Sequence, residues 1–174
     1  MLNKVRSHVV QNAATIFRPP AKLCPAIIQK NVLLETLKKV FHEALDDGDF
    51  EFLDQQWLKV SVRDLDVHWF ISYQDDQLVV SDQAEHQVHF SGDLNDLVLI
   101  MGRKEDPDTL FFQRRLQIEG DTELGLEVKN LMDSVDWDAL PAFLVTAIKQ
   151  LANFVEQGVA DSKPTTDTTH AYSN

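Results

Sequence analysis

The spacing of hydrophobic residues changes twice along this chain, from a helical repeat to a two-residue alternation and back. In the first 17 residues, Leu2, Val5, Val9, Ala13 and Ile16 recur at helical spacing, with Lys4 and Arg6 among them. This predicts a basic amphipathic helix over residues 1–18. Such a helix either lies at an interface or docks on the protein's own core or on a second subunit. Pro19-Pro20 is expected to break it, as a hinge or rigid corner. Residues 19–40 then form a linker and the start of a second helix, which runs from about Pro25 to Leu45. Leu33, Leu34, Leu37, Phe41 and Leu45 make its buried stripe, and Asp46-Asp47-Gly48-Asp49 stops it.

Beyond Phe52 the period becomes two. Leu58, Val60 and Val62 alternate with Lys59, Ser61 and Arg63, and Val67, Trp69, Ile71 and Tyr73 share one face of a second strand. A turn at Gln74-Asp75-Asp76-Gln77 leads into Leu78-Val79-Val80, and a further strand covers about Gln87 to Ser91. Short connections imply mainly antiparallel pairing. Ser91-Gly92-Asp93 then caps a helix carrying Leu94, Leu97, Val98 and Met101. Asp106-Pro107-Asp108 reads as a turn before Phe111-Phe112 and a strand with Leu116 and Ile118 that ends at Glu119.

Gly120 permits a tight turn, and Asp121 or Thr122 is placed to cap the next helix, with Glu123 in its first turn. Leu124, Val128, Leu131 and Val135 form a narrow apolar stripe there. A last helix begins at Asp138, tolerates Pro141 near its start, and lines one side with Leu144, Ala147, Ile148, Leu151 and Val155. Phe143 and Phe154 broaden that side beyond what one sheet contact needs. From Gly158 the chain turns polar without apolar period, so residues 158–174 are expected to be a disordered tail. The compact domain is thus expected over residues 41–157.

Composition adds an asymmetry. The net charge is −12, yet residues 1–39 hold seven basic residues and one acidic, so that segment is +6 and the remaining 135 residues carry −18. An acidic body excludes a nucleic-acid role, because phosphate contacts need a basic footprint. A basic end on that body fits anionic lipid or an acidic partner. One cysteine, Cys24, excludes an internal disulfide framework. Nothing approaches an 18-residue apolar run, and the N-terminus lacks a compact signal-peptide core, so a cytoplasmic location is expected.

Catalytic signals are thin. His86 and His89 stand three residues apart, and on an extended strand that spacing points them to opposite faces, against joint metal ligation. Cys24 adjoins Pro25 with no histidine base nearby in sequence. Asp64/Asp66, Asp75/Asp76 and Asp106/Asp108 fall at expected turns. Gly120 and Gly125 are isolated among Glu119, Asp121 and Glu123, which would repel phosphate. The aromatic residues offer more. Phe90, Phe111, Phe112, Phe143 and Phe154, with Trp69 and Met101, either line an apolar space between sheet and helices or fill an ordinary core. Periodicity does not separate the two.

Residues from about Phe41 to Val155 resemble the sterol carrier protein 2 (SCP2) domain family. The segments carrying the resemblance are Leu45-Asp46-Asp47-Gly48 with Glu51-Phe52-Leu53, Val62-Arg63-Asp64, Asp106 through Arg115, Ile118 through Met132, and Gln150 through Glu156. The uninterrupted Asp-Pro-Asp-Thr-Leu-Phe-Phe-Gln-Arg-Arg-Leu from Asp106 to Leu116 is the most specific. Within the family these segments look like the bacterial accessory factors of ubiquinone biosynthesis. The resemblance implies an α+β fold, an SCP2-like, about five-stranded, mainly antiparallel sheet packed with helices around a hydrophobic lipid-binding cavity.

It also implies a non-catalytic role, particularly in the oxygen-independent route, with no cofactor. The protein would bind polyprenylated quinone precursors, or phospholipid, and present its cargo to biosynthetic enzymes and hydroxylation factors. The expected cavity lining, taken from apolar faces, is Trp69, Phe90, Leu97, Met101, Phe111, Phe112, Leu116, Ile118, Leu124, Leu131, Phe143, Ala147 and Leu151. Membrane or partner contact, peripheral to an inner membrane, is assigned to Leu2, Lys4, Val5, Arg6, Val9, Ile16, Phe17 and Arg18. The alternatives are an interaction scaffold whose cavity is filled by its own side chains, and an enzyme whose His or Asp residues converge in a pocket.

Overall fold

A computed structural model describes residues 2–133 and 142–162. The chain opens with three helices, α1 (Leu2–Gln11), α2 (Ala13–Leu23) and α3 (Ala26–Val40), followed by the short α4 (His42–Asp46) and a 3-10 turn at Glu51–Leu53. Strands β1 (Leu58–Val62), β2 (Val67–Gln74), β3 (Gln77–Ser81) and β4 (Val88–Gly92) come next. Helices α5 (Leu94–Met101) and α6 (Pro107–Phe112) precede β5 (Leu116–Gly120), and α7 (Thr122–Asp133) and α8 (Ala142–Ser162) follow it.

The five strands form one sheet in the order β3-β2-β1-β4-β5. Three of its four pairings are antiparallel and β1 with β4 is parallel, so the expected mainly antiparallel sheet is observed. Asp75 and Asp76 both adopt left-handed backbone, the geometry of the tight two-residue hairpin that joins β2 to β3. Gly120 closes β5 at φ +104°, where a Cβ would sit 2.2 Å from the Gln87 carbonyl oxygen. Asp121 caps α7 by accepting from the backbone N–H groups of Glu123 at 2.9 Å and Leu124 at 3.0 Å, as its position in the sequence predicts.

Alternation puts Leu58, Ile71, Tyr73, Leu78, Val88, Phe90 and Leu116 on one sheet face. Phe50, Leu53, Leu110, Leu124, Val128 and Leu131 pack over them as a continuous core. Leu34 and Leu37 of α3 reach this core from its edge. A smaller cluster joins Val10, Val98, Leu99, Ala152 and Val155, and so ties α1, α5 and α8 together.

Several sequence expectations are corrected. Pro19-Pro20 does not break the arm but lies inside α2. The carbonyls that lose their donors belong to Thr15 and Ile16, which are exposed, so solvent replaces the missing bonds. The breaks fall instead at Asn12 and at Cys24-Pro25. Asp106-Pro107-Asp108 starts a helix rather than a turn: the Asp106 carboxylate accepts from the Thr109 N–H at 2.9 Å, and Pro107 sits where its missing N–H is harmless. Residues 158–162 continue α8 instead of beginning a tail. Val135, Asp138, Pro141 and residues 163–174 lie outside the described residues.

The Asp106–Leu116 motif therefore works in pieces. Asp106 caps, Asp108 meets Lys129 at 2.8 Å, Leu110 is wholly buried, and Arg115 forms an ion pair with the buried Asp96 of α5. Arg63 adds a bond from its guanidinium to the Arg115 carbonyl at 2.7 Å and another to Asp93 at 3.0 Å. These contacts clamp α5 to the ends of β1 and β5. Arg115→Ala leaves Asp96 buried without its cation and is expected to cost about 3 kcal/mol in urea unfolding. The double variant Arg115→Met/Asp96→Leu should recover part of that loss.

Candidate functional site

Among the described residues, the expected cavity lining divides into buried and exposed side chains. Phe90, Leu116, Leu124 and Leu131 are buried, and Leu97 and Ile118 press against them. Trp69 is half-buried, while Met101, Phe111, Phe112, Phe143 and Ala147 are exposed. Phe112 is 82% and Phe143 77% exposed. The strand register and the α6 turn decide this, because both place each side chain on a face that the apolar count along the chain leaves open.

An apolar groove lies elsewhere, between the N-terminal arm and the helices α5 and α8. Its volume is about 430 Å³, within the ~300–1,000 Å³ of ligand clefts. Val9, Val10, Ala13, Phe17, Pro20 and Ala21 form one wall; Leu65, Leu94, Asn95 and Val98 form the floor; Leu151, Phe154 and Val155 close the far side. Of the expected cavity lining, only Leu151 contributes. Phe154, also considered from its sequence position, contributes too.

Two contacts hold the arm in place. Val10 is 2% exposed and sits directly over Gly158 of α8, where a Cβ would approach the Val10 Cγ2 to 2.4 Å. The Asn95 side-chain amide donates to the Val10 carbonyl at 2.9 Å. Arg6 adds an ion pair with Asp161 and a bond to Gln157. The residues assigned to membrane or partner contact therefore divide. Val9 and Phe17 line the groove, Arg6 pairs within the fold, and Arg18 meets Asp66 at 3.1 Å. Lys4, Val5 and Ile16 are exposed, and the Leu2 side chain lies outside the described residues. Lys22 also reaches Asp66, at 2.6 Å, and the two cations hold its carboxyl below the usual carboxylate value.

Sequence reasoning missed Val10, Ala13, Pro20, Ala21, Leu65, Leu94, Asn95, Val98 and Val155 as groove residues. Their signal was present only as ordinary apolar periodicity. Nothing in it told which helix would lie against which.

The opposite sheet face is polar and carries the histidines. Val88, not Gln87, begins β4, so His86 lies off the strand and the opposite-faces argument fails for it. The His86 and His89 rings are 5.7 Å apart, and Phe70 lies between His68 and His86. No three His, Cys, Asp or Glu residues among those described converge to hold a metal. His89 bonds Ser61 Oγ at 2.8 Å, and partial burial, with Lys59 and His86 nearby, lowers its pKa below 6.5.

Residues 34–133 match the SCP-2 sterol transfer family. The chain belongs to that family. It is 49% identical over 168 residues to the ubiquinone biosynthesis accessory factor UbiT of Escherichia coli K12, with 97% of each chain covered. The UbiT of Escherichia coli O157:H7 matches equally. A solved structure, the UbiJ-SCP2 ubiquinone synthesis protein, shares the fold at a TM-score of 0.50 and 14% identity, covering 61% of this chain and 94% of its own. The family match spans the sheet but stops short of α1, α2 and α8. The groove is thus built mostly from helices added to the SCP-2 domain, and the UbiT relatives align across those additions as well.

Gly158→Val should lift α1 from α8, a clash of about 1–3 kcal/mol, and is read as faster tryptic cleavage after Arg6. Partial burial makes His89 harder to protonate in the fold than in the unfolded chain, where it protonates near 6.5. Its contribution to stability is therefore complete above that pH and is lost as pH falls below it. His89→Gln should flatten this acid-side decline in denaturant midpoints.

Proposed function

We propose that this chain is a non-catalytic accessory factor of ubiquinone biosynthesis that shelters polyprenylated intermediates in the groove between its arm and α8. The observation that carries the reading is the groove's near-wholly apolar wall, with Asn95 as its one polar side chain. Identity to UbiT across the same helices supports the pathway assignment. Each exposed CH₂ of a polyprenyl tail costs about 0.8 kcal/mol in water, so such an intermediate does not diffuse freely and needs a carrier. A carrier of this kind serves the oxygen-independent route by presenting its cargo to biosynthetic enzymes and hydroxylation factors, with phospholipid as the competing occupant.

One observation favours a second reading, an interaction scaffold without cargo. Phe112 projects from α6 at 82% exposure, in edge-on contact with the ring of its neighbour Phe111. Native mass spectrometry of freshly purified protein, with extraction and lipid identification, separates the two. A stoichiometric isoprenoid precursor is the expected result. Ala21→Trp, which fills the groove from its half-exposed wall, should lower the bound fraction several-fold. An empty protein that takes up no added precursor would leave the scaffold standing.

A further inference from the structure

The turn from α2 into α3 is an apolar elbow that no element among the described residues covers. Leu23, Ile27, Ile28 and Val32 are 82%, 65%, 49% and 61% exposed. The elbow has a defined shape, because the Gln29 amide donates to the carbonyls of Ala21 at 2.9 Å and Cys24 at 2.8 Å. We propose that this elbow is a bilayer-docking element that inserts its apolar tip among anionic lipid headgroups beside the groove.

Charge selects that occupant. Arg18 and Lys22 reach back to Asp66, and Lys30 to Asp82 at 3.4 Å. A belt of cations therefore stands between the apolar tip and the acidic body. These are exposed pairs that exchange readily for lipid phosphate. The remaining body carries −18 and is repelled by an anionic surface, so this end alone can face one. A second copy docking tip to tip would oppose the same cations and is disfavoured. Continuity with the groove adds a second argument. Phe17, Pro20 and Ala21 line it from the helix that ends at Leu23, so an apolar tail passes from bilayer to groove along one helix face. The elbow's use in loading rests on the carrier reading above, whereas its affinity for lipid does not.

Flotation of the full chain with vesicles of equimolar phosphatidylcholine and phosphatidylglycerol tests this. The protein is expected to float with them and not with phosphatidylcholine alone. The variant Leu23→Ser/Ile27→Ser/Val32→Ser, altered only at exposed positions, should float at least about tenfold less with its thermal unfolding unchanged. Lys22→Gln/Lys30→Gln should weaken flotation most at low salt. Val5→Ser and Phe112→Ser, equally exposed but outside the elbow, should float normally. Undiminished flotation of the triple variant, or equal flotation with both vesicles, would overturn the proposal. So would a protein that ignores both vesicles but binds an acidic polypeptide through the elbow. Uptake of an isoprenoid precursor from detergent micelles keeps the readings apart. Uptake retained with flotation lost supports the elbow, and uptake absent with flotation retained removes the groove reading alone.

Discussion

The close approach of α1 to α8 at Gly158 governs the functional half of this molecule. A helix can seat a valine on another helix at this distance only where the partner lacks a Cβ, and Val10 occupies that gap. The contact hides Val10 and brings the Val10 carbonyl within reach of Asn95. Once α1 is seated, α2 must leave from Asn12 across α5, because one residue separates the two helices. The groove wall follows from that path. A similar close packing recurs at Gly102, where a Cβ would lie 2.1 Å from the Ala152 Cβ. Gly158 in α8 and Gly102 just past the end of α5 thus set the distances of a three-helix layer that stands beside the sheet.

The sheet and its helices form a second unit of construction. Alternation along five strands delivers one apolar face, and α7, α6 and the 3-10 turn cover it. Arg115 and Asp96 connect this unit to α5, the helix that also floors the groove. In this pair Asp96 is buried and Arg115 partly exposed, and it ties α5 to the strand ends. The SCP-2 match covers this unit, and most of the groove wall comes from helices outside the matched residues.

Charge follows the same division. The arm and α3 hold seven of the sixteen Lys and Arg residues against one acidic residue, and they lie against an acidic domain through Arg6–Asp161, Arg18–Asp66, Lys22–Asp66 and Lys30–Asp82. Each pair is exposed or partly so, which makes the arm's seat depend on Val10 and Ala13 burial more than on ion pairing. Attraction orients the arm, and apolar contact fixes it.

Much of the fold was legible along the chain. Strand positions, the Asp75-Asp76 hairpin, the Gly120 turn, the Asp121 cap and the acidic stop after Leu45 all depend on local periodicity and local hydrogen bonding, which neighbouring residues determine. The Asp106-Pro107 helix start was equally local and was passed over for a turn. The groove was not legible in this way. Val10, Ala13, Val98, Leu151 and Phe154 come from four helices, two in the arm and two far from it in sequence, and each reads simply as one apolar position on an amphipathic helix. Which stripes meet depends on volume at the crossing points, on Gly158 under Val10 and Gly102 against Ala152. The sequence by itself determined the elements, their buried faces and the family. Only the tertiary structure decided that the arm opens a groove against α8, because side-chain volume is excluded between elements that are distant in the chain.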